Sequence, residues 1–284
     1  MNGFSKLCVH TITTTTTTTI IIITTTKPWS IELAMDKFAE AEIGGITVWR
    51  QWLEEQDISK VGDELRARNL EIVSTCRVGF FPANTQPELD TAIKDNKLAI
   101  REAAELGAPM VVIVPGAVPG QPLPDSRKQI ADEIVACLPL AEELNTKLAI
   151  EPLHPMYADD RSAINTMAQA NDVCDQLDHP LVGIAADVYH IWWDPDLEAQ
   201  IQLTGEKDRL FAFHICDWMT PTTDLLNDRG LIGEGCIDVP GIRKLIEATG
   251  FDGFNEVEVF SDRWWARDQD EFLAEIKAAY RKHS

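Results

Sequence analysis

Short apolar runs alternate with helical patterns from one end of this chain to the other, and that alternation limits its fold more than any other feature. The runs are SKLCVH (5–10), GITVW (45–49), LEIVSTC (70–76), MVVIVP (110–115), KLAIE (147–151), VGIAAD (182–187), LFAFH (210–214) and NEVEV (255–259). Helical spacing recurs over 30–42, 88–107, 126–144, 162–177, 242–250 and 269–282, with Ser30, Ser126, Ser162 and Asp268 as N-caps and Gly107 and Gly250 as stops. Strands that alternate with helices through short connections form a parallel sheet. Eight such units in 284 residues predict an α/β fold, a single closed (β/α)8 TIM barrel over residues 1–284. No G-x-G-x-x-G follows the first run, which argues against a doubly wound dinucleotide-binding sheet.

One segment breaks the pattern. TITTTTTTTIIIITTT (11–26) is a low-complexity, β-branched insert between the first strand and the first helix. The expectation is an expansion with no chemical role; the alternative is an extra hairpin or interaction edge, because β-branched residues favour strands.

The chain carries 25 Lys+Arg against 46 Asp+Glu, a net charge of −21. That field repels phosphate backbones and anionic membranes and attracts cations. The six cysteines show no C-x-x-C, no run is long enough to span a bilayer, and no secretory leader opens the chain. These features predict reduced thiols in a soluble cytoplasmic protein that binds neither nucleic acid nor membrane.

Four of the runs end in a residue able to ligate a hard metal: Glu151, Asp187, His214 and Glu258. Closing a barrel gathers the C-terminal ends of its strands, so these four are expected to converge on one divalent ion, Mn²⁺ first, with Mg²⁺ or Co²⁺ as alternatives. Glu256 and Glu258 share a strand face, and Glu258, nearer the mouth, is the expected ligand. His154, in EPLH, is close enough to act as a general base; its other reading is a hydrogen bond that orients Glu151. His190, in D-x-x-H, is placed to touch a substrate oxygen, and His10 is a weaker pocket candidate. His179 and His283 are expected to be inert. On the loop side Arg50, Arg77, Trp218 and Arg263 are candidate substrate contacts, since aromatic faces and guanidinium forks suit a sugar ring and its hydroxyls. Loop packing, surface ion pairs, or a partner subunit at Trp264 and Trp265 are the competing uses.

The segments IEPLHP, DVYH, FHICDW, LIGEGCIDV and GFDGFNEVEVF carry a resemblance to the xylose-isomerase-like TIM-barrel superfamily, which includes ketose 3-epimerases, inosose dehydratases and endonuclease IV-type repair enzymes. The resemblance implies metal ligands at Glu151, Asp187, His214 and Glu258 and a substrate-contacting His190. The extra histidines of the repair enzymes are missing: the third and fourth runs end in Cys76-Arg77 and Pro115, and the loop expected to hold D-x-H reads GEGCID. Ketose 3-epimerases carry an arginine shortly after the metal-binding histidine, whereas His214 is followed by Ile215, Cys216 and Asp217. EPLH is similar to the catalytic subunits of C-glycoside deglycosidases, which act on 3-oxo-glycosides with a metal and a histidine base beside a small β-rich partner. The expected activity is metal-dependent enolisation of a keto-sugar or cyclic polyol ketone. Glu151 and Glu258 would exchange the proton in an isomerase or epimerase; His154 would take it in the alternative, a lyase. The expected partners are a small-molecule carbohydrate and either a small β-rich subunit or a second copy of the chain.

Overall fold

A computed structural model describes residues 3–14 and 29–283. Eight parallel strands close into a barrel: β1 (Leu7–His10), β2 (Gly45–Trp49), β3 (Glu71–Gly79), β4 (Met110–Val114), β5 (Lys147–Ile150), β6 (Val182–Asp187), β7 (Leu210–Ile215) and β8 (Asn255–Val257). Each strand neighbours the next in sequence, and β8 closes on β1 with Leu7 opposite Asn255 and Val9 opposite Val257. The protein is therefore a (β/α)8 barrel.

Strand alternation sorts two layers. Leu7, Val9, Ile150, Ile184, Phe213 and Val257 pack in one buried cluster with the surrounding helices. Met110, Val112, Ala149, Ala185 and Ala212 form a second, inside the barrel. Period two puts Ala149 below Glu151, Ala185 below Asp187 and Ala212 below His214. Three alanines on this inward face leave room for polar side chains above them, a space that larger residues would fill.

The observed helices include two that the apolar spacing does not single out, Ile58–Ala67 and Leu197–Glu206. Each buries only three residues, so its apolar stripe is thin. Ser30 accepts from Leu33 N at 3.3 Å, and Asp268 Oδ1 accepts from Asp270 N and Glu271 N at 2.9 and 3.0 Å, as caps should. Ser126 and Ser162 do not cap. The helix expected from Ser126 begins at Leu123 with a proline in its first turn, and Ser126 donates to Gln121 Oε1 instead. The helix expected from Ser162 begins at Met167, capped by Thr166. Gly107 ends its helix in the left-handed region at φ 88°.

The Thr/Ile insert starts inside the fold. Thr11–Thr14 form one helical turn, and Thr11, Ile12 and Thr13 are buried. Thr11 Oγ1 accepts from Trp49 N, while Thr13 Oγ1 donates to Val257 O and accepts from Val259 N, each at 3.0 Å. The first residues of the insert thus tie β1 to β2 and β8. Residues 15–28, where an extra hairpin would fall, lie outside the described residues. Among the described residues no helix is long and apolar enough to cross a membrane.

Candidate active site

Four buried side chains converge at the C-terminal end of the barrel. Glu151, Asp187, His214 and Glu258 each offer one ligand atom, and these atoms lie within 4.8 Å of one another. The cause is register: Asp187 pairs with His214 across β6 and β7, and Glu256 pairs with His214 across β7 and β8. Glu258 and Glu151 sit one residue beyond the ends of their strands, where the chain turns over the mouth.

A second layer lies beneath. His10 bridges the two glutamates of NEVEV, with Nδ1 at 3.1 Å from Glu258 Oε1 and Nε2 at 3.1 Å from Glu256 Oε2. Thr47 Oγ1 donates to Glu256 Oε2 at 2.6 Å. Glu256 Oε2 also lies 3.8 Å from His214 Nε2, a buried nitrogen with no hydrogen-bond partner. Glu256 is accordingly a buried carboxylate behind His214, and His10 supports Glu258 from below.

The cationic member is Arg229. A two-stranded ribbon, Asp217–Trp218 against Arg229–Gly230, brings it over the mouth. Asp217 shapes the turn by accepting from Trp218 N, Gly233 N and Ile237 N at 2.8–2.9 Å. Arg229 Nη1 donates to Asp187 Oδ2 at 3.0 Å, Glu258 Oε2 at 2.9 Å and Glu258 O at 3.2 Å. The site therefore has an arginine after His214, although it arrives by a longer path than the residues following His214 suggest. It carries no helical or strand periodicity, only its place just ahead of LIGEGCID.

Acidic charge is in excess here, and the side chains respond. Burial pushes the Asp187 carboxyl up to about 7, against Arg229 and with Glu258 and Glu151 adding to the rise. Burial works against a charged His214, yet the fields of Glu256, Glu151 and Glu258 raise it to about 10. Glu258 also suffers burial, but Arg229, His10 and His214 hold it well below the usual carboxylate range. Protons thus gather on a cluster of acids that a divalent cation would neutralise in the same way. Three carboxylates and one imidazole are donors such a cation takes, so the residues fit a divalent metal.

His190 is set by its own hydrogen bonds. Its Nδ1 accepts from His154 N at 3.2 Å, while its Nε2 faces the Arg229 Nη2 donor at 3.3 Å and lies 3.6 Å from Asp187 Oδ2. Burial and then Arg229 hold its pKa well below the ordinary value, which keeps it neutral. It is a neutral imidazole on the cavity wall.

The cavity measures about 570 Å³ and opens beside Glu151, Glu258, His190 and Arg229. Arg77 lines it, but several expected contacts do not. Arg50 forks onto Asp95 at 3.0 and 3.1 Å and reaches Glu102 at 2.7 Å, outside the cavity. Arg263 pairs with Glu234 and lies over Trp264. Trp218 stacks on Tyr189, ring centroids 4.7 Å apart, behind the wall. His154 is the larger correction. Its ring packs 5.0 Å from that of Trp218 and is not part of the lining. Its Nδ1 accepts from Met156 N at 3.2 Å, so the nitrogen that a base would use is already occupied. Trp49, Tyr157, Arg161, Phe260 and Trp265 complete the wall where those residues were expected.

Residues 35–282 match the xylose isomerase-like TIM barrel family, and the chain belongs to it. An inosose isomerase of Bacillus velezensis is 22% identical over 232 residues, 80% of each chain. A crystal structure of a protein from Sinorhizobium meliloti 1021 is 42% identical, covers 98% of both chains and superposes with a TM-score of 0.90. The IolI protein with a bound zinc atom shares the fold at 20% identity, 98% and 99% coverage and a TM-score of 0.80. The barrel is thus an enzyme scaffold of the sugar isomerase and epimerase type, with a buried site suited to a divalent metal.

Proposed function

We propose that the protein is an isomerase of a keto-sugar or cyclic polyol ketone, moving a proton from the carbon beside the carbonyl to the carbonyl carbon. A divalent cation, Mn²⁺ or a chemically similar ion, would be held by Glu151, Asp187, His214 and Glu258 and would polarise the carbonyl.

The asymmetry between two carboxylates carries the reading. Glu258 has His10 on one oxygen and Arg229 on the other, which makes it a poor base. Glu151 shares Oε1 with His214 at 2.9 Å, and its Oε2 has no hydrogen bond among the described residues. That oxygen, on the wall of the cavity, takes the proton from the α-carbon and returns it to the former carbonyl carbon, while the α-hydroxyl proton passes to the former carbonyl oxygen. His190, a neutral imidazole beside Arg229, faces the substrate oxygen that gains charge as the enediolate forms. Arg229 keeps Glu258 ionised and, with Phe260 beneath its guanidinium at 4.9 Å, stays in place during the transfer. One base serving two adjacent carbons favours isomerisation over a two-base epimerisation. A lyase with His154 as base finds no such support, because His154 lies behind the wall.

The test is proton exchange. Metal-loaded protein in D₂O should incorporate one deuterium at the carbon next to the ketone of a ketohexose or inosose, and Glu151→Gln should slow this at least about 10²-fold. If no substrate of this class exchanges with any divalent ion, the proposal fails.

A further inference from the structure

Three arginines line the cavity, Arg77, Arg161 and Arg229. Arg229 is spent on Asp187 and Glu258. The other two are not. Arg77 makes no hydrogen bond or ion pair with any described residue and rests its guanidinium 4.5 Å from the Phe80 ring centroid. Arg161 approaches only its neighbour Asp160, at 3.9 Å, and lies over the Tyr157 ring at 5.4 Å.

Acids outnumber bases 46 to 25, and Arg50, Arg68, Arg209, Arg243 and Arg263 all hold carboxylates. Arg77 is solvent-exposed and Arg161 half-buried with only Asp160 near it, so both guanidinium groups can meet an anion that enters the cavity from solvent.

Topology separates Arg77 from the acids. The four candidate ligands come from the ends of β5 to β8, one continuous side of the barrel. Arg77 leaves β3, on the other side, and Arg161 reaches in from the loop after β5. A cavity of about 570 Å³ holds a six-carbon sugar together with a charged substituent.

We propose that Arg77 and Arg161 form an anion subsite, and that the substrate is a keto-sugar derivative carrying a carboxylate or a phosphate ester. This rests on the enolisation reading above for the word keto-sugar, but not for the anion. Guanidinium forks match both groups bidentately and hold the far end of the substrate while its carbonyl end meets Glu151 and His190.

Calorimetric titration of the full chain, chelated and metal-loaded, with D-fructose, D-fructose 6-phosphate and 2-keto-D-gluconate decides it. At least one anionic probe should bind at least about tenfold more tightly than fructose in both forms. That preference should fall below about threefold in Arg77→Gln/Arg161→Gln and survive in part in Arg77→Lys, which keeps the charge. Which of the two anions binds more tightly identifies the substituent. Equal binding of neutral and anionic probes overturns the proposal, as does a preference that survives the double substitution. The readout is affinity, so it stands apart from deuterium exchange. Exchange without anion preference removes the subsite alone, and preference without exchange removes the isomerase reading alone.

Discussion

Replacing Arg229 with methionine tests the charge balance of the site most directly. Methionine keeps much of the length and removes one cation that makes three donor contacts to Asp187 and Glu258 at 2.9–3.2 Å. Removing one partner of a buried ion pair costs about 3–5 kcal/mol, because the remaining charges stay buried and unpaired. In a domain of this size about 1 kcal/mol moves Tm by roughly 2–4 °C, so the chelated variant should melt roughly 6–20 °C below the parent. A divalent cation supplies positive charge to the same two carboxylates. The rise in Tm on adding Mn²⁺ or Zn²⁺ to chelated protein should therefore be larger in Arg229→Met than in the parent. Differential scanning calorimetry of both proteins, with and without metal, measures all four values. A loss under about 1 kcal/mol without metal, or a metal response no larger than the parent's, would refute the reasoning that these charges share one balance.

Three further outcomes are expected. His154→Ala should lower turnover less than about tenfold, because alanine keeps the backbone N–H that holds His190, and a loss above about 10²-fold would make His154 a base after all. Exhaustive chelation should abolish deuterium exchange, with Mn²⁺, Co²⁺ or Zn²⁺ restoring it; full activity after chelation removes the metal from the reaction. Glu133, buried on the helix Leu123–Leu144 with Oε2 unpartnered, is raised from 4.5 to about 7 by burial and then by Asp90 and Asp132. The folded chain thus holds this proton longer than the unfolded chain does. Stability should fall as pH rises from 4.5 to 7 and level off above. Glu133→Gln should flatten that fall and melt higher than the parent at pH 8, with the gain gone near pH 4.5. Parallel Tm curves for the two proteins would show that Glu133 is not strained by its charge.

The parts of this protein that were legible in its sequence are those that repeat or that depend on strand period. GITVW and VGIAAD are strands over the predicted residues, and the barrel closes as eight alternating units require. The convergence of Glu151, Asp187, His214 and Glu258 follows from that closure, because a parallel barrel aligns the C-terminal ends of its strands. The alanines beneath them follow from alternation.

What lay beyond the sequence depends on loop paths and on hydrogen bonds of the backbone. Arg229 enters the site because a ribbon folds back over the mouth, and nothing in the spacing after His214 encodes that return. Arg50 and Arg263 look like Arg77 in sequence, but acids on neighbouring elements claim them and leave Arg77 free to face the cavity. His154 has the right neighbours for a base, yet one backbone N–H, that of Met156, occupies its acceptor nitrogen. Local pattern determined where the strands end. Only packing decided which side chains found partners elsewhere, and the functional cavity is lined by those that did not.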